Sequence, residues 1–589
     1  MPTTLHRGLT LAACTFGLAL VVVATADPDW MAPPARDFPL VGGNYFHQRY
    51  SSLDKITTAN VQKLGGAWSI NLDEKSRRGQ PYRGTPIVVD GVMYVTTGAR
   101  NVMALDAATG ALKWRYRPDG DGPSGGNFGV TVADGKVFFG RRDNVLLALD
   151  KNTGAVLWQT QITTEKGAFT TIAPSYVNGL VYMGTSGGDS GARGQMGAYD
   201  GKTGKEVWKF YTIPGPGDPF ADTWEGESYK SGGGGIWTSA PVDPELGMIY
   251  IQVGNIGLRQ YGAADRGTPF FDEPKRGGIN LFTGSVVALD LKTGAHRWHF
   301  QQIHHDIWHY DAGGPSALAD ITYRGRTRKI LMNPGKTGFL YILDRTDGKP
   351  LIGVEERPVP QEPRLKTSRT QPFPIGDPFV PICPDAIGTY ERGCVFTPYW
   401  NEPRLIAPST AGGNAFAPMT FSPKTGLAYI PASVLYSVFR VREDGATTAM
   451  RVPGSPRSGT LTAMDPTTNK IVWQRNTKYP MGGGSGLLST AGGLLFHGQP
   501  DGNVVAFDIK DGKELWTFQT GAGADQPLMT YEVNGEQYVA AIAGGNSINL
   551  SQAGDLLWAF KLGGKVPPAS TPRQPPLVQP GDGAAGPAQ

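Results

Sequence analysis

Cysteine is scarce in this 589-residue sequence, which has 3 in all and no C-x-x-C-H. That excludes a covalently attached c-type haem and a thiolate-rich metal site. No lysine- or arginine-rich run occurs and the net charge is only +4, so no nucleic-acid partner is indicated. No G-x-G-x-x-G follows an expected strand in a βαβ unit, which removes the dinucleotide-binding fingerprint. Charged residues make up only 18% against 40% hydrophobic, a globular composition rather than a disordered one. Long apolar runs are missing too, with one exception at the N-terminus.

That exception, Leu9 to Val23, follows His6 and Arg7 and precedes Ala24-Thr25-Ala26. At about fifteen residues it is shorter than the roughly 20 that span a bilayer. It reads as an export signal, residues 1–26, cut before Asp27, which places the mature chain in the periplasm with no membrane span. Leu11-Ala12-Ala13-Cys14 offers a lipobox alternative, weakened because most of the apolar run follows Cys14. Export leaves Cys383 and Cys394, and an oxidising compartment should join them in one disulfide closing a small loop.

What the sequence has in quantity is a repeat. Ala-x-Asp-x-x-x-Gly-x-x-x-Trp occurs at Ala104–Trp114, Ala148–Trp158, Ala198–Trp208, Ala288–Trp298 and Ala506–Trp516, with Asn469 replacing Gly in Ala463–Trp473. Degenerate copies lie at Asp344–Gly348 and around Trp68 and Trp558. A short alternating strand precedes each copy. A strand ending at Asp, a tight turn using the positive φ of Gly, and a second strand carrying Trp make a β-hairpin. Successive Trp spacings of 44 (114 to 158) and 50 (158 to 208) suit four short strands per unit. Such units cannot bury their faces alone and should stack radially into an all-β propeller of seven or eight blades; a β-solenoid usually has shorter repeats.

The Trp repeat resembles the tryptophan-docking motif of the quinoprotein alcohol dehydrogenases, the family of methanol, ethanol and membrane glucose dehydrogenases. The similarity runs from about Asp37 to Leu562. It implies an eight-bladed β-propeller over 27–562 holding pyrroloquinoline quinone (PQQ) and a hard cation. Residues 563–589, rich in Pro, Gly and Ala, are expected to form a disordered tail.

The resemblance also implies site residues. Gly232–Asn255 matches the segment that supplies the PQQ-stacking Trp and an Asn metal ligand, here Trp237 and Asn255; by spacing alone these could be a core aromatic and a turn residue. Gly184–Gly194 matches a loop carrying an acidic ligand, often Glu, here Asp189; Ser186, Gly187 and Gly188 in that loop and Thr171 before it would face PQQ. Lys336, in Pro334–Gly348, matches the cation beside the quinone oxygens, where positive charge stabilises the reduced cofactor. Gln301–Gly314 departs from the pattern: His309 stands where relatives carry the Asp that serves as base. His309 or Asp311 could be the base; Asp311 could instead be a third metal ligand, and on a strand both would share a face. Calcium suits such a set of oxygen donors better than a lanthanide. The vicinal cysteine pair of methanol dehydrogenases is absent from Gly125–Val130. Phe128 stands where Arg is frequent, and Arg83 stands where an acidic PQQ contact is usual, so the carboxylate end of the pocket is rewired, with Arg83 a candidate PQQ partner.

The function implied is PQQ-dependent oxidation of an alcohol, with electrons leaving to a separate cytochrome c. The altered pocket points away from methanol towards a bulky or secondary alcohol, with a trichothecene mycotoxin hydroxyl as the narrowest reading. The alternative is a non-enzymatic Trp-motif propeller serving as a scaffold in outer-membrane protein assembly; such a protein would lack the joint set Asp189, Asn255, Asp311 and Lys336.

Overall fold

A computed structural model of the chain describes residues 30–72, 84–99, 101–119, 126–257, 277–443 and 447–580. Residues 1–26 and Arg83 lie outside the described residues, and so does Gly125. No helix among the described residues is long and apolar enough to cross a membrane.

Ten sheets occur among the described residues. Two belong to the stretch between Val354 and Arg451: a hairpin of Val354–Pro358 with Thr370–Pro374, and a four-stranded sheet from Glu391–Gly393 to Thr447–Arg451. The other eight follow one another along the chain, and hydrophobic clusters join each to the next. Val89, Trp114 and Val132 share a cluster across the first and second sheets, and Leu146, Val181 and Tyr199 share one across the second and third. Similar clusters continue around to Tyr429, Leu495 and Val505. The last cluster joins Val504, Phe560 and Met103, so the final sheets pack back on the first and the ring closes. The closing sheet itself is shared by both ends of the chain, with Leu64–Asn71 paired antiparallel to Leu556–Leu562.

The repeat residues explain this stacking. In the first copy Asp106 Oδ1 accepts the backbone N–H groups of Ala108 and Thr109 and the Thr109 hydroxyl, and Gly110 takes a φ of 76° to turn the chain. Trp68, Trp114, Trp158, Trp208, Trp298 and Trp473 each lie on the turn glycine of the sheet that follows around the ring. A Cβ on Gly154 would stand 2.5 Å from the Trp114 ring, and one on Gly294 would stand 2.4 Å from Trp208. At Trp114, Trp208 and Trp298 the indole N–H also caps the carbonyl just past the next turn's Asp: Lys151 O at 3.0 Å, Leu291 O at 3.0 Å and Arg345 O at 3.1 Å. Burial of a large ring and satisfaction of its one donor are thus achieved together. Asn469, which replaces Gly, adopts a φ of 56° and donates to the Leu340 and Ile375 carbonyls.

Two expectations are corrected. The chain after Gly563 is not a disordered tail as far as residue 580. Val566 N donates to Gly66 O, Ala569 N to Gln519 O, and Gln579 is tied to Ser455 and Arg457. Low hydrophobicity there is offset by backbone hydrogen bonds laid along the body. The segment around His309 is also not a strand: residues 302–316 form bends and coil, and His309 has a φ of 66°. The alternation argument for 309 and 311 therefore does not apply.

Candidate functional site

A cavity of about 400 Å³ gathers Thr171, Ser186, Gly187, Gly188, Asp189, Trp237, Asn255, His309, Asp311 and Lys336 on one wall system. This volume suits a cofactor-sized ligand. The loops that bring these side chains together are glycine-built. Asp189 sits in a single helical turn, Gly188–Ser190, flanked by Gly187 and Gly191 with φ of 105° and 79°. A Cβ on Gly187 would stand 2.2 Å from the Gly167 carbonyl, so only glycine allows this loop to press on its neighbour.

Trp237 is half-buried, with one side towards the cavity. Its ring edge rests on Gly313, where a Cβ would be 2.2 Å away, and it meets Phe416 edge-on at 5.9 Å. Thr171 Oγ1 lies 2.8 Å from Ser186 Oγ and donates to the Trp237 carbonyl at 3.0 Å, which ties the hydroxyl pair to the aromatic floor.

The polar end is one connected network. Asn255 Nδ2 donates to Asp189 Oδ1 at 3.1 Å and to the Ile256 carbonyl at 2.8 Å, leaving the amide oxygen as its remaining donor atom for a cation. Asn255 N donates to Asp311 Oδ1 at 2.7 Å. Lys336 Nζ donates to Asp311 Oδ2 at 2.8 Å and to the His309 carbonyl at 3.1 Å. Burial pushes the Asp311 carboxyl up, but Lys336, His309 and the Asn255 N–H together hold it below its ordinary value. Burial pushes the His309 imidazole down, Lys336 pushes it further, and Asp189 and Asp311 pull the other way; the net direction is down. Behind them Asp306 is almost wholly buried, and desolvation raises its carboxyl to about 7.

The donor chemistry fits a flat, polyanionic quinone and a hard cation: an aromatic floor, two hydroxyls, one ammonium and oxygen-only ligands. No group of three or more His, Cys, Asp or Glu side chains suited to a metal occurs among the described residues. Both Asp311 oxygens are engaged by Lys336 and Asn255, so Asp189 and Asn255 are the more available pair. Around Phe128 the surroundings are apolar: it packs with Phe416 and Ala415. A guanidinium does lie nearby, with Arg142 3.9 Å above the ring of Phe169, a wall residue.

Phe169, Thr410, Ala411, Phe416 and Ile548 also line the cavity and were not expected from the sequence. They come from distant segments and carry no local motif. Cys383 and Cys394 are joined, as expected.

A family model described as PQQ glucose/ethanol/alcohol dehydrogenase, β-propeller domain, matches residues 38–472 and 454–539. The chain is similar to the quinohemoprotein alcohol dehydrogenase of Comamonas testosteroni, at 35% identity over 577 residues, covering 89% of this chain and 75% of that protein. It is 34% identical to quinohemoprotein alcohol dehydrogenase ADH-IIG of Pseudomonas putida, covering 95% and 81%. Among solved structures, ADHIIG from Pseudomonas putida HK5 superposes with a TM-score of 0.76 at 32% identity, covering 93% of this chain and 84% of that one. A europium-containing methanol dehydrogenase superposes with a TM-score of 0.72 at 28% identity, covering 90% and 98%.

Proposed function

The chain belongs to the PQQ-dependent glucose/ethanol/alcohol dehydrogenase family, and from that premise we propose that its 400 Å³ cavity is where an alcohol is oxidised to a carbonyl. The single observation that carries this is the convergence of Trp237, Asp189, Asn255, His309, Asp311 and Lys336, from four separate segments, on one cavity. A scaffold propeller has no use for such a set, and the scaffold alternative is set aside.

In this reading Trp237 would supply the apolar face for the flat cofactor and Thr171, Ser186 and Lys336 would hold its polar groups; Arg83 is a proposed partner outside the described residues. Asp189 and Asn255 would hold the cation, with Asp311 as a further ligand or as the counter-ion of Lys336. Bound PQQ supplies a two-electron acceptor, and the cation, calcium rather than a lanthanide, supplies Lewis acidity beside it. His309, at the cavity wall and neutral through the lowering of its pKa, takes the hydroxyl proton of the alcohol. Lys336 keeps positive charge where negative charge develops. Apolar walls from Phe169, Phe416 and Ile548 support a bulky or secondary alcohol over methanol, with a trichothecene hydroxyl as the narrowest form of that proposal. In this reading the electrons pass to a cytochrome c partner, and the reaction is assigned to the periplasm on the strength of the N-terminal segment.

The test is a pair of substitutions. His309→Ala should lower kcat by roughly 10²–10⁴ while PQQ and calcium still bind. Asp311→Ala should weaken calcium dependence first. Near-normal kcat in His309→Ala at every pH would transfer the role of base to Asp311.

A further inference from the structure

His309 and Phe396 both have a φ of 66°, a left-handed conformation that bulky side chains rarely adopt and that persists only where the surroundings impose it. They are linked through Trp308. The Trp308 ring lies 5.7 Å from that of Phe396 and stacks on Tyr310 at 5.9 Å, and its Nε1 donates to the Thr397 carbonyl at 2.8 Å. Tyr310 donates to the Pro408 carbonyl at 2.6 Å, and the Tyr399 hydroxyl donates to the Ile307 carbonyl. The segment 307–311 thus turns His309 and Asp311 to the cavity and its other side chains into the chain between residues 379 and 408.

That chain is closed on itself next to the contact. Cys383 and Cys394 are bonded, Val395 N donates to Ile382 O at 2.7 Å across the loop mouth, and Thr397 N donates to Cys394 O at 3.0 Å. Phe396 is fully buried, whereas both cysteines are exposed. The bridge lies two residues from Phe396, and Phe396 is one ring from the backbone that carries the site. Resting on the reading of His309 and Asp311 given above, we propose that Phe396 and Thr397, held by the Cys383–Cys394 bridge, are positioning residues for the His309–Asp311 segment. Opening the bridge lets 394–397 leave its strained conformation, which withdraws the support of Trp308 and lets His309 drift. Misplacement of a reacting group by about 1 Å is enough to cost about 10²-fold in rate.

Two measurements decide this. Hydrogen–deuterium exchange of the peptide covering 307–311 is followed in the folded protein before and after reduction by a phosphine, then after reoxidation. Exchange should quicken by about tenfold or more on reduction and return on reoxidation. In parallel the Cys383→Ser/Cys394→Ser holoenzyme should show kcat lowered roughly ten- to hundredfold, with PQQ affinity, read by Trp quenching, held within about twofold because Trp237 is on another element. Phe396→Leu should reproduce the kinetic change with the bridge intact. Unchanged exchange at 307–311 overturns the proposal, as does a loss of PQQ affinity that matches the loss of kcat. If the unmodified holoenzyme oxidises no alcohol, the proposed function fails, and the exchange result still decides the positioning role.

Discussion

Lys336 Nζ stands 2.8 Å from Asp311 Oδ2, with only 5% and 4% of the two side chains exposed. Each charge is tolerable there because of the other. Removing the cation strands a buried carboxylate, a loss of about 3–5 kcal/mol. Lys336→Met should therefore lower stability to urea by about that amount and abolish alcohol oxidation, whereas the Lys336→Met/Asp311→Asn double variant should recover most of the stability but not the activity. Chemical denaturation of the three proteins checks this.

A second carboxyl, not itself a lining residue of the cavity, predicts a pH dependence. Asp525 is buried, accepts hydrogen bonds from Asn549 and Ser551 at 2.5 Å each, and burial raises its carboxyl to about 6. A carboxyl whose folded value lies above its unfolded one binds its proton more tightly in the folded state. Its contribution is full below about pH 4 and is lost as pH rises to about 6, on the order of 3 kcal/mol. Asp525→Asn should flatten the stability curve between pH 4 and 6. A wild-type slope that survives the substitution assigns the effect to another group.

The docking geometry predicts a cost for one methyl group. Gly294 has a φ of 70°, and a Cβ there would meet the Trp208 ring at 2.4 Å. Gly294→Ala should destabilise the protein by about 1–3 kcal/mol, from the strain of positive φ and overpacking together. Thermal unfolding reads it, and Gly535→Ala, which has φ of 76° but nothing within 4 Å, separates the backbone part from the packing part.

These glycines show why the architecture was legible. The Asp, Gly and Trp of each repeat do one local task apiece, so the residue types recur and the hairpins can be read off. Asp189, Asn255 and Lys336 were legible for a different reason, the likeness of their segments to a known family. Phe169, Phe416 and Ile548 were not, because a cavity wall asks only for apolar bulk and takes it from wherever the ring brings chain together. The segment at His309 misled: alternation assumes extended backbone, and the positive φ at 309 has no sequence mark. Residues 563–580 misled as well, since their Pro-rich composition hides backbone hydrogen bonds to Gly66, Gln519 and Ser455.

The residues proposed to hold the cation carry their own prediction. Asp189→Ala and Asn255→Ala should each raise the calcium concentration for half-maximal activity by more than about tenfold, the loss typical even of an outer-shell partner. The two share the hydrogen bond at 3.1 Å, so the double variant should be less than additive. Calcium titrations of chelator-treated protein measure this, and strict additivity would separate the two residues.

The most direct measurement starts from protein made without cofactor, to which PQQ is added with and without calcium. Quenching of tryptophan fluorescence and dye reduction with a panel of primary and bulky secondary alcohols are followed in the same samples, alongside Trp237→Ala. No activity is expected without PQQ, alcohol-dependent dye reduction is expected with PQQ plus calcium, and Trp237→Ala should lose most of the quenching and of the PQQ affinity. Alcohol oxidation that proceeds with NAD in the absence of PQQ, or PQQ binding indifferent to Trp237, would contradict the proposed function.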